Sequence, residues 1–277
     1  MSRTWFVTGA SRGLGRELVE QVLARGDRVA ATLRRPEQLD DLAARYGDRL
    51  WVRALDVTDT RQLRAVVDEA FAAHERIDVV VSNAGYGVFA VAEDLTDQQI
   101  DQMIATNLTG SIQLARAVVP HLRAQGGGLL MQMSSMGGHL AFPAFSLYHV
   151  TKWGIEGFFE ALAEEVAPFG IRTTLIEPGM VRTTFYDAAT RVPVSEPYRG
   201  GPGDTAPIPL EEMTDSEENT IAGVIRAAES VDPPRRLVLG SDAWELVTGA
   251  LRRRLAEIEP QRDNAATADA EDVRAAS

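Results

Sequence analysis

The sequence predicts one α/β domain built around a doubly wound parallel sheet. Two observations carry that expectation. Short, nearly continuous apolar runs alternate along the chain with longer amphipathic ones, and a glycine-rich turn joins the first run to the second. A strand buried on both faces needs apolar side chains on both, whereas a helix covering it needs only one apolar stripe. At 277 residues, 45% hydrophobic and 25% charged, the chain has the length for one sizeable core and the balance of an ordinary globular protein.

The predicted strands, in order, are TWFVTGA, RVAATL, LWVRALDV, IDVVVSNAG, GLLMQMSS, IRTTLIEPG and RRLVLG. Between them run predicted helices at GLGRELVEQVLARG, PEQLDDLAARYG and RQLRAVVDEAFAAHE, a long helical stretch over 97–124, and the helix carrying YHVTK. Two more are predicted, near SEENTIAGVIRAAES and around DAWELVTGALRRRLAEI. Residues 184–216 are rich in Pro, Gly and acidic side chains, too long for a simple connection, and read as a mobile functional loop. Residues 1–258 thus form the predicted folded domain, and 259–277, small and polar without aromatics, a disordered tail.

The charge balance, 28 minus 40 or −12, argues against a surface for nucleic acid or anionic membrane. The absence of cysteine excludes disulfides, thiolate metal sites and cysteine nucleophiles. Glycine and polar residues arrive too early for a signal peptide, and there is no apolar run of about 18 residues, so a soluble, cytoplasmic protein is expected. His74, His121, His139 and His149 share no metal-ligand spacing and read as structural or surface residues, with His139 a candidate to border the pocket; no metal is expected.

The first strand runs straight into Thr8, Gly9, Ala10, Ser11, Arg12, Gly13, Leu14 and Gly15, and a helix follows at once. Glycines there let backbone approach a phosphate, whose charge a helix N-terminus favours, which predicts dinucleotide binding on a Rossmann-type sheet. The spacing T-G-x-x-x-G-x-G resembles that of the classical short-chain dehydrogenase/reductase family, and the resemblance extends from about residue 4 to 183. Asn83, Ala84 and Gly85 match its N-A-G, with Ser82 standing where many relatives have another Asn. Asn107 in TNLTG, Ser135, the Tyr148 and Lys152 of Y-x-x-x-K, and Pro178, Gly179 and Thr183 of P-G-x-x-x-T match its later motifs.

The resemblance implies a catalytic set of Asn107, Ser135, Tyr148 and Lys152. The implied cofactor site comprises Gly9, Ser11, Arg12, Gly13, Leu14, Gly15, Arg34, Asp56, Val57, Asn83, Ala84, Gly85, Tyr148, Lys152, Pro178, Gly179 and Thr183. Asp56 falls where relatives contact adenine, though it or Asp59 also suits a helix N-cap. Strand alternation turns Ser134 toward the sheet packing and Ser135 toward the cleft. Tyr148 and Lys152, four apart, share a helix face, so the ammonium is expected to stabilise the phenolate while the tyrosine exchanges a proton with substrate oxygen. Lys152 is also implied to hold the nicotinamide ribose, and Asn107 to link the lysine to water.

The end of the second strand, VAATLRRPE, lacks the acid that NAD-preferring relatives place there, and Arg34 and Arg35 follow, with Arg12 in the glycine loop. Paired donors on planar guanidinium groups suit a 2′-phosphate, so NADP is expected over NAD. Phe185, Tyr186, Val192, Val194, Tyr198 and Ile208 in the loop, facing Met136, Phe142 and Phe145, predict an apolar pocket for a small carbonyl or alcohol. Trp153, Phe158 and Phe159 read as core or subunit contacts. A homodimer or homotetramer is implied, formed through the helices around 97–124 and 147–168. The alternative is a non-catalytic dinucleotide sensor on the same fold, which often lacks the tyrosine or lysine that this chain retains.

Overall fold

The computed structural model describes residues 2–206 and 208–270. Seven strands form one parallel sheet: β1 (Thr4–Thr8), β2 (Arg28–Leu33), β3 (Leu50–Ala54), β4 (Val79–Ser82), β5 (Gly128–Met133), β6 (Ile171–Pro178) and β7 (Arg236–Leu239). Their spatial order is β7-β6-β5-β4-β1-β2-β3, so the order reverses between β1 and β4, where a doubly wound sheet opens its ligand crevice. All seven predicted strands are present. The helices are α1 (Gly13–Ala24), α2 (Asp40–Tyr46), α3 (Thr60–Ala73), α4 (Asp97–Met103), α5 (Gly110–Ala124), α6 (Ser146–Val166), the single turn α7 (Phe185–Ala188), α8 (Glu217–Glu229), α9 (Ser241–Ile258) and α10 (Arg262–Ala266).

Strand alternation sends neighbouring side chains into two separate cores. Trp5 and Val7 pack with Leu18 and Val22 of α1 and Val224 of α8 on one face. Phe6, between them, packs with Val67 of α3, Val118 of α5 and Phe159 of α6 on the other. Phe159 is therefore core, as expected, whereas Trp153 is 42% exposed with the Arg254 guanidinium 4.1 Å above its ring.

The predicted helical stretch over 97–124 is interrupted. Thr96 and Gln99 form a capping box at its start, and Ile104–Thr109 then widens into a π-helical turn that contains Asn107. Such a turn carries one extra residue and commonly marks a site where a side chain must be re-aimed. Asp59, not Asp56, caps α3, accepting from the N–H groups of Arg61 at 3.0 Å and Gln62 at 2.9 Å.

The expected loop over 184–216 is stitched to the body at both ends. Thr190–Arg191 pairs in parallel with Val88–Phe89, and Asp215–Ser216 with Val181–Arg182. The expected tail without structure is corrected over 259–266, where a 3₁₀ turn (Glu259–Gln261) and α10 prolong the helical run. These residues are exposed, so local backbone bonding rather than core packing holds them, a signal that composition does not carry. Residues 271–277 of that tail lie outside the described residues. No helix among the described residues is long and apolar enough to cross a membrane.

Candidate active site

A cleft of about 1150 Å³ opens at the C-terminal ends of the strands. Every predicted cofactor-site residue lines it, as do Ser135, Tyr148 and Lys152. Asn107 does not: it is buried behind the wall.

The glycine loop is fixed by contacts that a side chain would destroy. Gly9 has φ +70°, and a Cβ there would stand 2.8 Å from Ala84 Cα. One on Gly15 would stand 2.3 Å from the Gly9 carbonyl oxygen. The Asn83 amide donates to the carbonyl oxygens of Thr8 at 3.0 Å and Gly9 at 3.2 Å, while the Thr8 hydroxyl accepts from the N–H groups of Asn83 and Ala84. The ends of β1 and β4 are thereby locked together beneath the N-terminus of α1. That helix starts without a side-chain cap and without an acid in its first turn, which leaves its N–H groups and positive dipole end to an anion.

Arg12 and Arg34 line the same cleft, both exposed, and among the described residues neither guanidinium makes an ion pair or hydrogen bond. Arg16 on α1, by contrast, is paired with Glu20 and Asp41. Arg35 does not reach the cleft wall. Asp56 lies beside Arg34; burial alone would raise its pKa, but the Thr58 hydroxyl and N–H, both bonded to Oδ1, together with the Arg34 charge, bring it below the ordinary value. Asp56 is thus a fixed carboxylate in the cleft and not the helix cap.

At the far end, Tyr148, Lys152 and Ser135 converge where β5 meets α6. Burial drives the Tyr148 pKa well above the ordinary tyrosine value, the Ser135 hydroxyl opposes this, and Tyr186 adds to it. Burial also lowers Lys152 to about 8, against the pull of Glu156. The lysine Nζ donates to the Met133 carbonyl oxygen at 2.8 Å and lies 5.4 Å from the Tyr148 ring centroid. Desolvation of the phenol is thus the largest influence on Tyr148 within the protein. Asn107 makes no hydrogen bond to Lys152 among the described residues, and the expected link between them is by water. The Asn107 amide instead bonds the Tyr86 peptide and the Thr151 hydroxyl.

The substrate end is aromatic. Arg191 lies 4.2 Å above the Phe89 ring, Phe89 stacks on Phe145 at 4.2 Å, and Phe145 stacks on Tyr148 at 4.3 Å, a column that ends at the phenol. Met136, Phe142, Phe145, Phe185, Tyr186 and Ile208 line the cleft as expected. Three expected anchors do not. Val192 packs behind the wall in the Phe145 cluster, Val194 is off the wall, and Tyr198 turns outward to donate to Glu93 at 2.7 Å. Once two-residue pairing pins a loop, alternate residues face away, which composition does not reveal. Sequence reasoning missed Tyr86, Phe89, Asp101, Arg191 and Leu246 on the wall; they come from a loop, two short strands, α4 and α9, none of which carries a motif.

His149 also reaches the cleft wall. Its Nε2 accepts from the Phe142 N–H at 2.9 Å, so the Nδ1 proton goes to the Gly137 carbonyl oxygen, also at 2.9 Å. Burial lowers its pKa, and both nitrogens are engaged, so it braces the wall, as a structural histidine should. His139, expected at the pocket edge, instead lies 3.1 Å from the buried Glu177, away from the cleft. His139, Glu156 and Glu177 bring ligand-type atoms within 4.8 Å of one another, a convergence that sequence spacing hides. Arg236, however, is paired with both carboxylates, so the group is an ion-pair cluster within the chain.

A long cleft with a glycine cradle at one end and a tyrosine, lysine and serine at the other, at the strand ends of a doubly wound sheet, is the arrangement of an α/β enzyme of the dehydrogenase class. A family model described as short chain dehydrogenase matches residues 3–192, and the chain belongs to that family. It is 41% identical over 251 residues to Oxidoreductase BOA17 of Botryotinia fuckeliana, covering 88% of this chain and 91% of that protein. Among solved structures, a short-chain dehydrogenase from Streptomyces avermitilis superposes with a TM-score of 0.90 at 36% identity, covering 98% of this chain and 100% of that one. Solved structures with the same fold but under 25% identity are described with NADP in some cases and NAD in another. The protein is an oxidoreductase of the short-chain dehydrogenase family.

Proposed function

We propose that the protein uses NADP(H) to interconvert a small, mainly apolar carbonyl compound and its alcohol, with Tyr148 as general acid and base. The observation that carries this reading is the convergence of Tyr148, Ser135 and Lys152 on the wall that also holds the glycine cradle. The cradle fits a dinucleotide, because its close backbone approaches leave no room for side chains. Gly9, Ser11, Gly13, Leu14 and Gly15 would hold the pyrophosphate, Arg12 and Arg34 a 2′-phosphate, and Asp56 and Val57 the adenine. Asn83, Ala84 and Gly85 would border the ribose, which Lys152 holds, and Pro178, Gly179 and Thr183 the nicotinamide. When bound, the cofactor supplies the hydride.

The chain supplies positioning and the proton. Ser135 would hold the carbonyl oxygen by its hydroxyl, and Tyr148 would donate its proton to that oxygen. The aromatic column from Phe89 to Tyr148 would hold a flat or apolar substrate body against the phenol and exclude water. Asn107 holds the Tyr86 peptide, and any proton resupply through it runs by water. We place the homo-oligomer here as well, supported by the exposed Val150 and Trp153 on α6, and expect a cytoplasmic location. Measuring turnover of a panel of ketones and alcohols with NADPH and NADH tests the assignment. Activity with neither cofactor on any member would favour the non-catalytic alternative.

A further inference from the structure

Two consecutive residues at the end of β5 are tied to two residues four apart on α6. The Met133 carbonyl oxygen accepts from Lys152 and the Ser134 hydroxyl donates to Glu156 Oε1, while Ser135, next along the chain, lines the cleft wall with Tyr148. Spacing of i, i+4 and i+8 keeps Tyr148, Lys152 and Glu156 on one helix face, so the strand end reads that face turn by turn. The mechanism uses the first two and leaves Glu156 without a task, although it is buried.

The groups around it leave a surplus of negative charge. Facing Lys152 and Glu156 are Tyr148 and Glu160 from α6, Ser134 from the strand end, His139 from the following turn, Glu177 from β6 and Arg236 from β7. Arg236 is shared among Glu156 at 2.9 Å, Glu160 at 2.8 Å and Glu177 at 3.2 Å. One guanidinium against three carboxylates is incomplete compensation, and the nearest further cation along that face is Lys152. Gly138 makes the packing possible, since a Cβ there would stand 2.7 Å from Glu156 Cγ.

We propose that Glu156 is a positioning residue for Lys152: its buried carboxylate, held by Ser134 and Arg236 one turn along α6, provides the negative charge that the ammonium faces and fixes the register of α6 on β5. The proposal rests on the reading of Lys152 as a site residue, but its test does not depend on turnover. Lys152 is the only lysine in the 277 residues, so a protein grown on lysine carrying carbon-13 at the ε position gives one resonance from that side chain. Its titration in the wild type has an expected midpoint of about 8.

In Glu156→Gln, which keeps an acceptor for Ser134, the midpoint falls by about one pH unit. In Glu156→Asp it stays nearer the wild-type value, and in Arg236→Gln it moves the opposite way, upward, because a competing cation is gone. Opposite shifts on the two sides of one ion pair are not what general loosening of the fold produces, and circular dichroism checks that each variant is folded. An unchanged midpoint in Glu156→Gln, or shifts of the same sign in both, overturns the proposal. Should Glu156→Gln fail to fold, the direction of the Arg236→Gln shift alone decides. Absence of any turnover in the wild type would sink the proposed function and leave this titration readable.

Discussion

Asn107 grips the peptide group of Tyr86 on both sides: Oδ1 accepts from the Tyr86 N–H at 3.1 Å and Nδ2 donates to the Tyr86 carbonyl oxygen at 2.8 Å. The π turn aims the amide there, since Asn107 otherwise faces the core in mid-helix, where a polar side chain has little to bond. Tyr86 follows directly on Asn83, Ala84 and Gly85, and Gly85 leaves room for Oδ1, which a Cβ would approach to 3.3 Å. Asn107 therefore shapes the β4 end of the cofactor cleft from behind.

Replacing Asn107 by Ala removes both bonds and leaves a partly buried N–H and carbonyl without partners. The expected loss is about 1–3 kcal/mol in a urea melt, with weaker cofactor binding as the Tyr86 segment loosens. A melt indistinguishable from wild type would mean that the amide bonds do no structural work.

Tyr148→Phe keeps the stack on Phe145 and removes only the hydroxyl. Folding and NADPH affinity are expected to be retained, while turnover falls by about 10² or more, the loss typical of a general acid. Near-normal turnover in that variant removes Tyr148 from the mechanism.

The sheet and the cradle were legible because both rest on local rules. Continuous apolar runs such as VAATL leave a strand no solvent face, and Gly9 and Gly15 stand where backbone approaches to under 3 Å permit nothing larger. What was not legible depends on long-range placement. Phe89 and Arg191 meet because two-residue strands pair across the loop, and Glu156, Glu177 and Arg236 meet because α6, β6 and β7 are neighbours. Neither meeting leaves a pattern in spacing. The π turn at Asn107 was hidden for another reason: it keeps helical periodicity on both sides and inserts only a single residue of slip.

The proposed cofactor preference turns on Arg12 and Arg34, which line the cleft beside the end of β2 and make no ion pair or hydrogen bond among the described residues. With no acid at the end of β2 to bond ribose hydroxyls, NADPH is expected to bind more tightly than NADH. Arg34→Ala should weaken NADPH about tenfold or more, the scale of one charge-assisted hydrogen bond, and leave NADH nearly unchanged; Arg12→Ala should act in the same direction. Fluorescence titration gives all the dissociation constants, and equal values for the two cofactors in the wild type would contradict the assignment.

The pH dependence follows from Lys152 and Tyr148. With its midpoint lowered to about 8, the lysine ammonium is present below that pH and lost above it. Tyr148, held above the ordinary tyrosine value, keeps its proton across the neutral range and is ready to give it to a carbonyl oxygen. Reductive kcat/KM is therefore expected to be level below about 8 and to fall above it, whereas alcohol oxidation, which needs the tyrosine as base, rises with pH. A reductive rate that climbs through that region would reverse the assigned roles.

The stretch 193–206 is the part of the substrate loop free to respond to a ligand. Residues 190–191 are already paired with Val88–Phe89, and Val192 is packed in the Phe145 cluster, so the loop's first third is pinned. Beyond it come Gly200 with φ +70°, Gly201, Pro202 and Gly203, with few bonds to the body, yet Pro202, Thr205 and Ala206 line the cleft. A segment that borders the substrate space while bonding mainly to itself has the construction of a closing lid. Hydrogen exchange is expected to find the amides of Thr190 and Val192 protected with or without ligand, since they donate to the Gly87 and Phe89 carbonyl oxygens at 3.2 and 2.9 Å. Amides in 193–206 should exchange quickly in the free protein and slow at least severalfold when NADPH and a hydrophobic ketone are both bound. Protection that is the same in both states across 193–206 would mean the stretch is a fixed wall, and selectivity would then rest on the aromatic column alone.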